Sequence, residues 1–213
     1  MKQQELFDAI RTKGAAEVEA LLDADASLLD ARQNGITPIL WAVYSGHSEL
    51  AQLFIGRGAQ LTFCEACAIG DENAALRMLD DDPALLETYS EDGFPPLGLA
   101  IFFGHPALAR TLIERGADVN AAARNPLLVA PIHAAAAARD ADTMQLLLAR
   151  GADANARQQL GYTALHTAAQ HGDEAILDLL LAFGADTRVS GENGKTPAAL
   201  AADKHPEIAK RLS

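Results

Sequence analysis

Arg115-Gly116-Ala117-Asp118-Val119-Asn120 returns as Arg150-Gly151-Ala152-Asp153-Ala154-Asn155. Weaker copies stand at Phe183-Gly184-Ala185-Asp186-Thr187 and Arg57-Gly58-Ala59-Gln60. A second motif runs ahead of these: Gly35-Ile36-Thr37-Pro38-Ile39, Pro131-Ile132-His133-Ala134-Ala135, Gly161-Tyr162-Thr163-Ala164-Leu165-His166 and Gly194-Lys195-Thr196-Pro197. Pro38, Pro96, Pro131, Ala164 and Pro197 share one register, with separations of 58, 35, 33 and 33 residues. A copy anchored on Gly70, which matches Gly46 and Gly104, splits the first interval into steps of 24 and 34. Self-similarity at such a period marks a stack of small supersecondary units.

The motif has a physical reading of its own. Thr before Pro caps a helix, and Pro in the first helical position gives up no useful N–H. Adjacent alanines let a short helix lie close to its neighbours. Gly46, Gly104 and Gly172 supply left-handed ends to the first helix. The second helix carries apolar residues at helical spacing, as in Met144, Leu147 and Leu148, or Ile176, Leu177, Leu180 and Leu181. Gly151 and Gly184 end it. One such pair cannot bury its apolar face alone, so pairs stack and stability becomes a sum of nearest-neighbour terms.

These residues resemble the ankyrin repeat, whose pattern runs G-x-T-P-L-H-x-A-A-x-x-G-H and closes on L-L-x-x-G-A-D-x-N. The resemblance covers essentially the whole chain. It implies an all-α solenoid of helix-turn-helix pairs with β-hairpin fingers, one domain over 1–213. Seven repeats, the outer two as caps, fall at about 4–33, 34–60, 61–90, 91–124, 125–157, 158–190 and 191–213. The first and third repeats depart from the pattern. They end in Asp23-Ala24-Asp25-Ala26-Ser27-Leu28-Leu29-Asp30 and Asp80-Asp81-Asp82-Pro83-Ala84-Leu85-Leu86-Glu87, which point to a two-repeat unit present twice. The Asp-rich turns are expected to tuck Leu28 and Leu85 against the stack. The 24-residue step means that the third repeat lacks its finger, so a notch is expected beside residues 59–63.

Composition fits this reading. Of 213 residues 49% are hydrophobic but only 5% aromatic, and 44 are alanine, which suits short, close helices better than a β-sandwich. The net charge of −12 and the scattered basic residues argue against nucleic acid as a partner. No stretch reaches the roughly 18 apolar residues of a membrane span. The charged N-terminus shows no signal-peptide core, and two cysteines suit a reducing compartment, so a cytoplasmic monomer is expected.

Chemistry is sparse. Asp80-Asp81-Asp82 lacks the alternating carboxylates of a calcium loop and reads as a solvated turn. Cys64-Glu65-Ala66-Cys67 has a spacing used in redox and zinc sites, but no strand-to-helix junction or second ligand pair accompanies it. Both cysteines fall on the first helix of the third repeat, where the family carries its histidine and second alanine, and read as small buried thiols. A metal- or redox-linked role of Cys64 and Cys67 is the alternative. The resemblance gives His133 and His166 a structural bond to the adjoining loop, and gives His47 and His105 a structural place at the second helix. His166 and His171 are five apart, which does not put both on one helical face. No nucleophile motif or phosphate loop occurs, and seven repeats consume the chain, so no catalytic residue, cofactor or metal is expected.

The large side chains carry the remaining signal. In the family, the finger tips and the free side of the first helices form a concave groove for partner proteins. The tips here hold Ile36, Phe94, Val129, Tyr162 and Lys195; the helix positions hold Tyr44, Ile69, Phe102 and Phe103, with Trp41 a turn before Tyr44. Trp41, Tyr44, Ile69, Phe94, Phe102, Phe103 and Tyr162 are the candidate partner-binding residues. The expected function is a scaffold-like interaction module that binds a protein or extended peptide without chemistry. A subunit or stoichiometric inhibitor of a larger complex is a variant of the same reading.

Overall fold

A computed structural model describes residues 2–12 and 14–213. Among these residues the chain forms fourteen α-helices in seven antiparallel pairs. They are α1 (Lys2–Arg11) with α2 (Ala15–Ala24), α3 (Pro38–Tyr44) with α4 (Ser48–Gly56), α5 (Phe63–Ile69) with α6 (Glu72–Asp81), and α7 (Pro96–Phe102) with α8 (Pro106–Glu114). The chain continues with α9 (Pro131–Ala138) and α10 (Ala141–Ala149), α11 (Ala164–His171) and α12 (Glu174–Ala182), and α13 (Pro197–Ala201) and α14 (Pro206–Leu212). The first helices form one row, each packed on the next from α1 through α13; the second helices form an outer row, with α8, α10 and α12 in contact.

Local chemistry starts these helices where the sequence places them. Thr37 Oγ1 accepts the Leu40 N–H at 3.1 Å ahead of Pro38. Asp71, Asp140 and Asp173 cap α6, α10 and α12 by accepting the N–H groups of Ala74, Thr143 and Ile176. The histidines that begin α4, α8 and α14 do not cap. Each reaches instead toward the preceding pair: His105 Nε2 lies 3.0 Å from the Ala68 carbonyl, and a Cβ on Gly70 would strike its ring at 2.4 Å. His205 covers Gly172 in the same way. Both glycines thus need a left-handed φ and an empty Cβ position.

The fingers are tight turns, not ladders of strands; the only bridge among the described residues joins Gln33 and Ile36. Successive fingers are tied by single backbone bonds, Arg124 N to Gly93 O, Gln159 N to Leu127 O and Glu192 N to Leu160 O. The Asp-rich segments form 3-10 turns over Ala26–Asp30 and Pro83–Glu87, capped by Asp25 and Asp82. Leu28 is buried beneath the first and Leu85 half-buried beneath the second.

The third pair has no finger, since only residues 57–62 separate α4 from α5. The expected notch beside 59–63 does not stay open. The fingers on either side close over it, and a Cβ on Gly35 would lie 3.5 Å from Glu91 Cβ. What remains is a cavity of about 200 Å³ lined by Thr37, Glu65, Cys64, Thr88 and Ser90 among others.

The core is divided at this junction. Leu6, Phe7, Ile10, Leu50 and Phe54 belong to a cluster confined to the first two pairs. A second cluster runs from Phe63 to Leu212. A small third cluster of Leu40, Cys64, Ala68 and Leu99 spans the division on the finger side.

Candidate functional site

Three residues after the N-cap, each first helix presents a side chain at the base of its finger. At α9 and α11 this residue is histidine. His133 Nδ1 accepts the Ala130 N–H at 3.0 Å, and its Nε2 bonds the Ala156 carbonyl of the following finger at 2.9 Å. His166 does the same with the Thr163 N–H and the Lys195 carbonyl. Both rings are buried, which lowers their pKa and keeps them neutral.

At α5 the same place holds Glu65. Its Oε2 accepts the Thr62 N–H at 2.7 Å, and its Oε1 accepts from the Thr37 hydroxyl of the preceding pair. A carboxylate cannot bond a carbonyl, so the tie turns back toward a donor. This corrects the placing of Cys64 at the histidine position. From N-cap to closing glycine, Thr62 to Gly70 spans eight residues, whereas Thr163 to Gly172 spans nine. One residue is missing inside α5, so Cys67 keeps the second-alanine place and Cys64 shifts to the preceding apolar one. Both thiols are buried and free. Burial pushes Cys64 up to about 11 and raises Cys67 further, which suppresses the thiolate that redox chemistry or metal binding needs. No group of three or more His, Cys, Asp or Glu is placed to hold a metal among the described residues.

At α7 the place is taken by Gly98. No ring fills the base of the finger, and a cavity of about 420 Å³ opens there. Its walls are Ile36 and Phe94 from two fingers, Tyr44 from α3, Leu99, Phe102 and Phe103 from α7 and its end, Leu127 and Val129 from the next finger, and Ala134 from α9. Phe103 stacks on Tyr44 at 5.7 Å and 20°, and Phe102 meets Phe103 edge-on at 5.1 Å. Phe102 is 58% exposed, Leu127 41% and Tyr44 36%. Asp92 is the one charged residue lining the space. Burial, with Asp92 beside it, raises the pKa of the Tyr44 phenol, which stays protonated.

The structure therefore brings Tyr44, Phe94, Phe102 and Phe103 together around one cavity and leaves Trp41, Ile69 and Tyr162 outside it. Trp41 precedes Tyr44 by three residues, a rotation that leaves it about 60° away around the helix. It turns toward the first pair and meets Phe7 edge-on at 5.6 Å, with its indole N–H buried and unpartnered. Ile69 packs against the cluster of the first two pairs. Tyr162 stands on a later finger, where its phenol oxygen accepts from Asn193 at 2.6 Å and its ring tilts over His166. Sequence reasoning missed Leu127, Asp92 and Gly98. The 35-residue step between Pro96 and Pro131, against 33 for the next, marks a longer finger and was the available signal for Leu127.

A family model described as ankyrin repeats in three copies matches residues 6–123 and 132–213. The chain belongs to the ankyrin-repeat family, whose repeats generally serve as protein-binding modules and not as enzymes. It is similar to a transient receptor potential cation channel subfamily A member 1 homologue of Caenorhabditis elegans, 32% identical over 135 residues, which are 59% of this chain and 11% of that protein. It is also similar to a fem-1 protein homologue of Drosophila melanogaster, 27% identical over 124 residues, 56% of this chain and 16% of that protein. The chain thus spans a small fraction of the length of both relatives. Among the described residues no helix is long and apolar enough to cross a membrane.

Proposed function

We propose that the chain is a single non-enzymatic interaction domain, monomeric and cytoplasmic, that holds a partner protein or extended peptide across the first helices and fingers of its second to fifth pairs. The observation that carries this is the apolar cavity at Gly98, with Phe102, Tyr44 and Leu127 exposed at its rim. Contiguous exposed apolar surface of this kind marks an interaction site. Anchors in such a pocket dominate binding, while the surrounding contacts exclude water. Trp41, Ile69 and Tyr162 lie outside this centre. Leu128 and Leu160, on the two fingers that follow, are also exposed and are held at φ 52° and 61°. Left-handed leucines carry strain of about 1–3 kcal/mol, a cost found mostly where a segment has a task.

The test is Phe102→Ala combined with Leu127→Ala. Neither side chain belongs to the buried core, so the far-UV circular dichroism should be unchanged, while capture of partner from a native lysate is lost. Undiminished capture would sink the groove assignment.

A further inference from the structure

The cavity has a chemical asymmetry that names its occupant. Its wall is aromatic and aliphatic except at Asp92, whose Oδ1 accepts from the Ser90 hydroxyl at 2.6 Å. Tyr44 is the other polar group beside it, and both partners are neutral. Among the described residues no lysine, arginine or histidine lines the space, and no ion pair to Asp92 is present. Arg124, on the next finger, is engaged over the Tyr89 ring at 3.8 Å. Any molecule that fills the cavity strips water from Asp92. An apolar occupant would leave a buried carboxylate uncompensated, and an anion would add repulsion. A cation on an aliphatic stem satisfies both parts of the wall: methylenes lie along apolar surface while the head stays with the opposite charge. The exposed Phe102 ring adds the attraction of its quadrupole for a cation. Exposed Glu91 next in the chain and the net charge of −12 give the approach the same sign.

We propose that this cavity takes a lysine or arginine side chain of an extended partner peptide, its stem against Tyr44, Phe102 and Phe103 and its head on Asp92. The proposal rests on the groove reading above and adds the chemistry of the anchor. Gly98 makes the room: its empty side chain is what separates this base from the histidine-filled bases at α9 and α11.

The experiment selects a phage-displayed random-peptide library on the purified full chain and on Asp92→Asn, Gly98→Leu and Phe102→Ala variants, each checked by circular dichroism. The wild-type chain should enrich lysine or arginine flanked by apolar residues several-fold over the library. Asp92→Asn should keep the apolar preference and lose the basic one, and Gly98→Leu should lose both. A wild-type pool without basic preference, or a preference that survives Asp92→Asn, overturns the proposal and leaves the groove reading intact. Peptides retained equally by Gly98→Leu and Phe102→Ala overturn the groove reading itself, and a pool no different from the library overturns both. Phe102→Ala, on an exposed side chain, carries the test if Gly98→Leu does not fold.

Discussion

The fifth and sixth pairs and the second to fourth differ at one position, three residues after the N-cap. His133 and His166 each fill the base of a finger and bind the next finger forward. Leu40, Glu65 and Gly98 stand in the same place in the earlier pairs, and each gives up part of that arrangement. Leu40 only packs, Glu65 binds backward to Thr37, and Gly98 leaves a cavity. Asn120, which closes the fourth pair, and Asn155, which closes the fifth, each donate to a glycine carbonyl of the next pair and accept an N–H from the aspartate after it. The regular half is thus held by repeated local bonds. The irregular half has a divided core, and its departures from the repeat coincide with the candidate site. The candidate site occupies the places where the repeat's own bonding has been withdrawn.

The comparison breaks most sharply at Glu65. Glu65→Ala orphans the part-buried Thr62 N–H and the buried Thr37 hydroxyl, and an unsatisfied buried group costs about 1–3 kcal/mol, so a loss of about 3 kcal/mol is expected. Trp41 is the only tryptophan and lies on the N-terminal side of the divided core. In urea, its fluorescence should therefore report unfolding at a lower concentration than far-UV circular dichroism, and Glu65→Ala should widen the gap. Coincident transitions in the variant would show that the junction is no weaker than its neighbours.

Acid sharpens the contrast from the other side. His133 and His166 are lowered by burial, so the unfolded chain takes up protons that the folded chain refuses. Stability contributed by the neutral rings is present above the ordinary histidine value of about 6.5 and falls as pH drops below it. The circular-dichroism midpoint should fall between pH 7.5 and 5. Replacing both rings with Gln should flatten that decline, and an equal decline in the double variant would remove the histidines as its source. Smallest is Asn155→Ala, which loses two exposed bonds to the sixth pair. A cost of about 1 kcal/mol is expected, with the fluorescence transition of Trp41 unmoved. A shift of both probes together would mean that the halves are one cooperative unit.

Much of this was legible in the sequence. The shared register of Pro38, Pro96, Pro131 and Pro197 carries helix starts, and the G-A-D copies carry pair ends, because caps and left-handed glycines are local chemistry. The place of Cys64 was not, since the missing residue lies inside α5. Counting back from Gly70 and forward from Thr62 gives different answers, and only the bonds of Glu65 decide between them. The cavity was hidden for a related reason. Its cause is a side chain that Gly98 does not have, and pattern reading registers residues more readily than vacancies. The turn of Trp41 toward Phe7 was not legible either, because position near Tyr44 in sequence does not fix which neighbour a ring faces.

The meeting of Gly35 with Glu91 has a consequence for shape. Five fingers serve six later pairs, so at the third pair the helix row advances by one unit while the finger row does not. The fingers of the second and fourth pairs thereby become neighbours, and Tyr44 of α3 and Phe103 at the end of α7 come into stacking contact across α5. A deletion that looks like damage to the repeat thus brings together the two walls of the cavity.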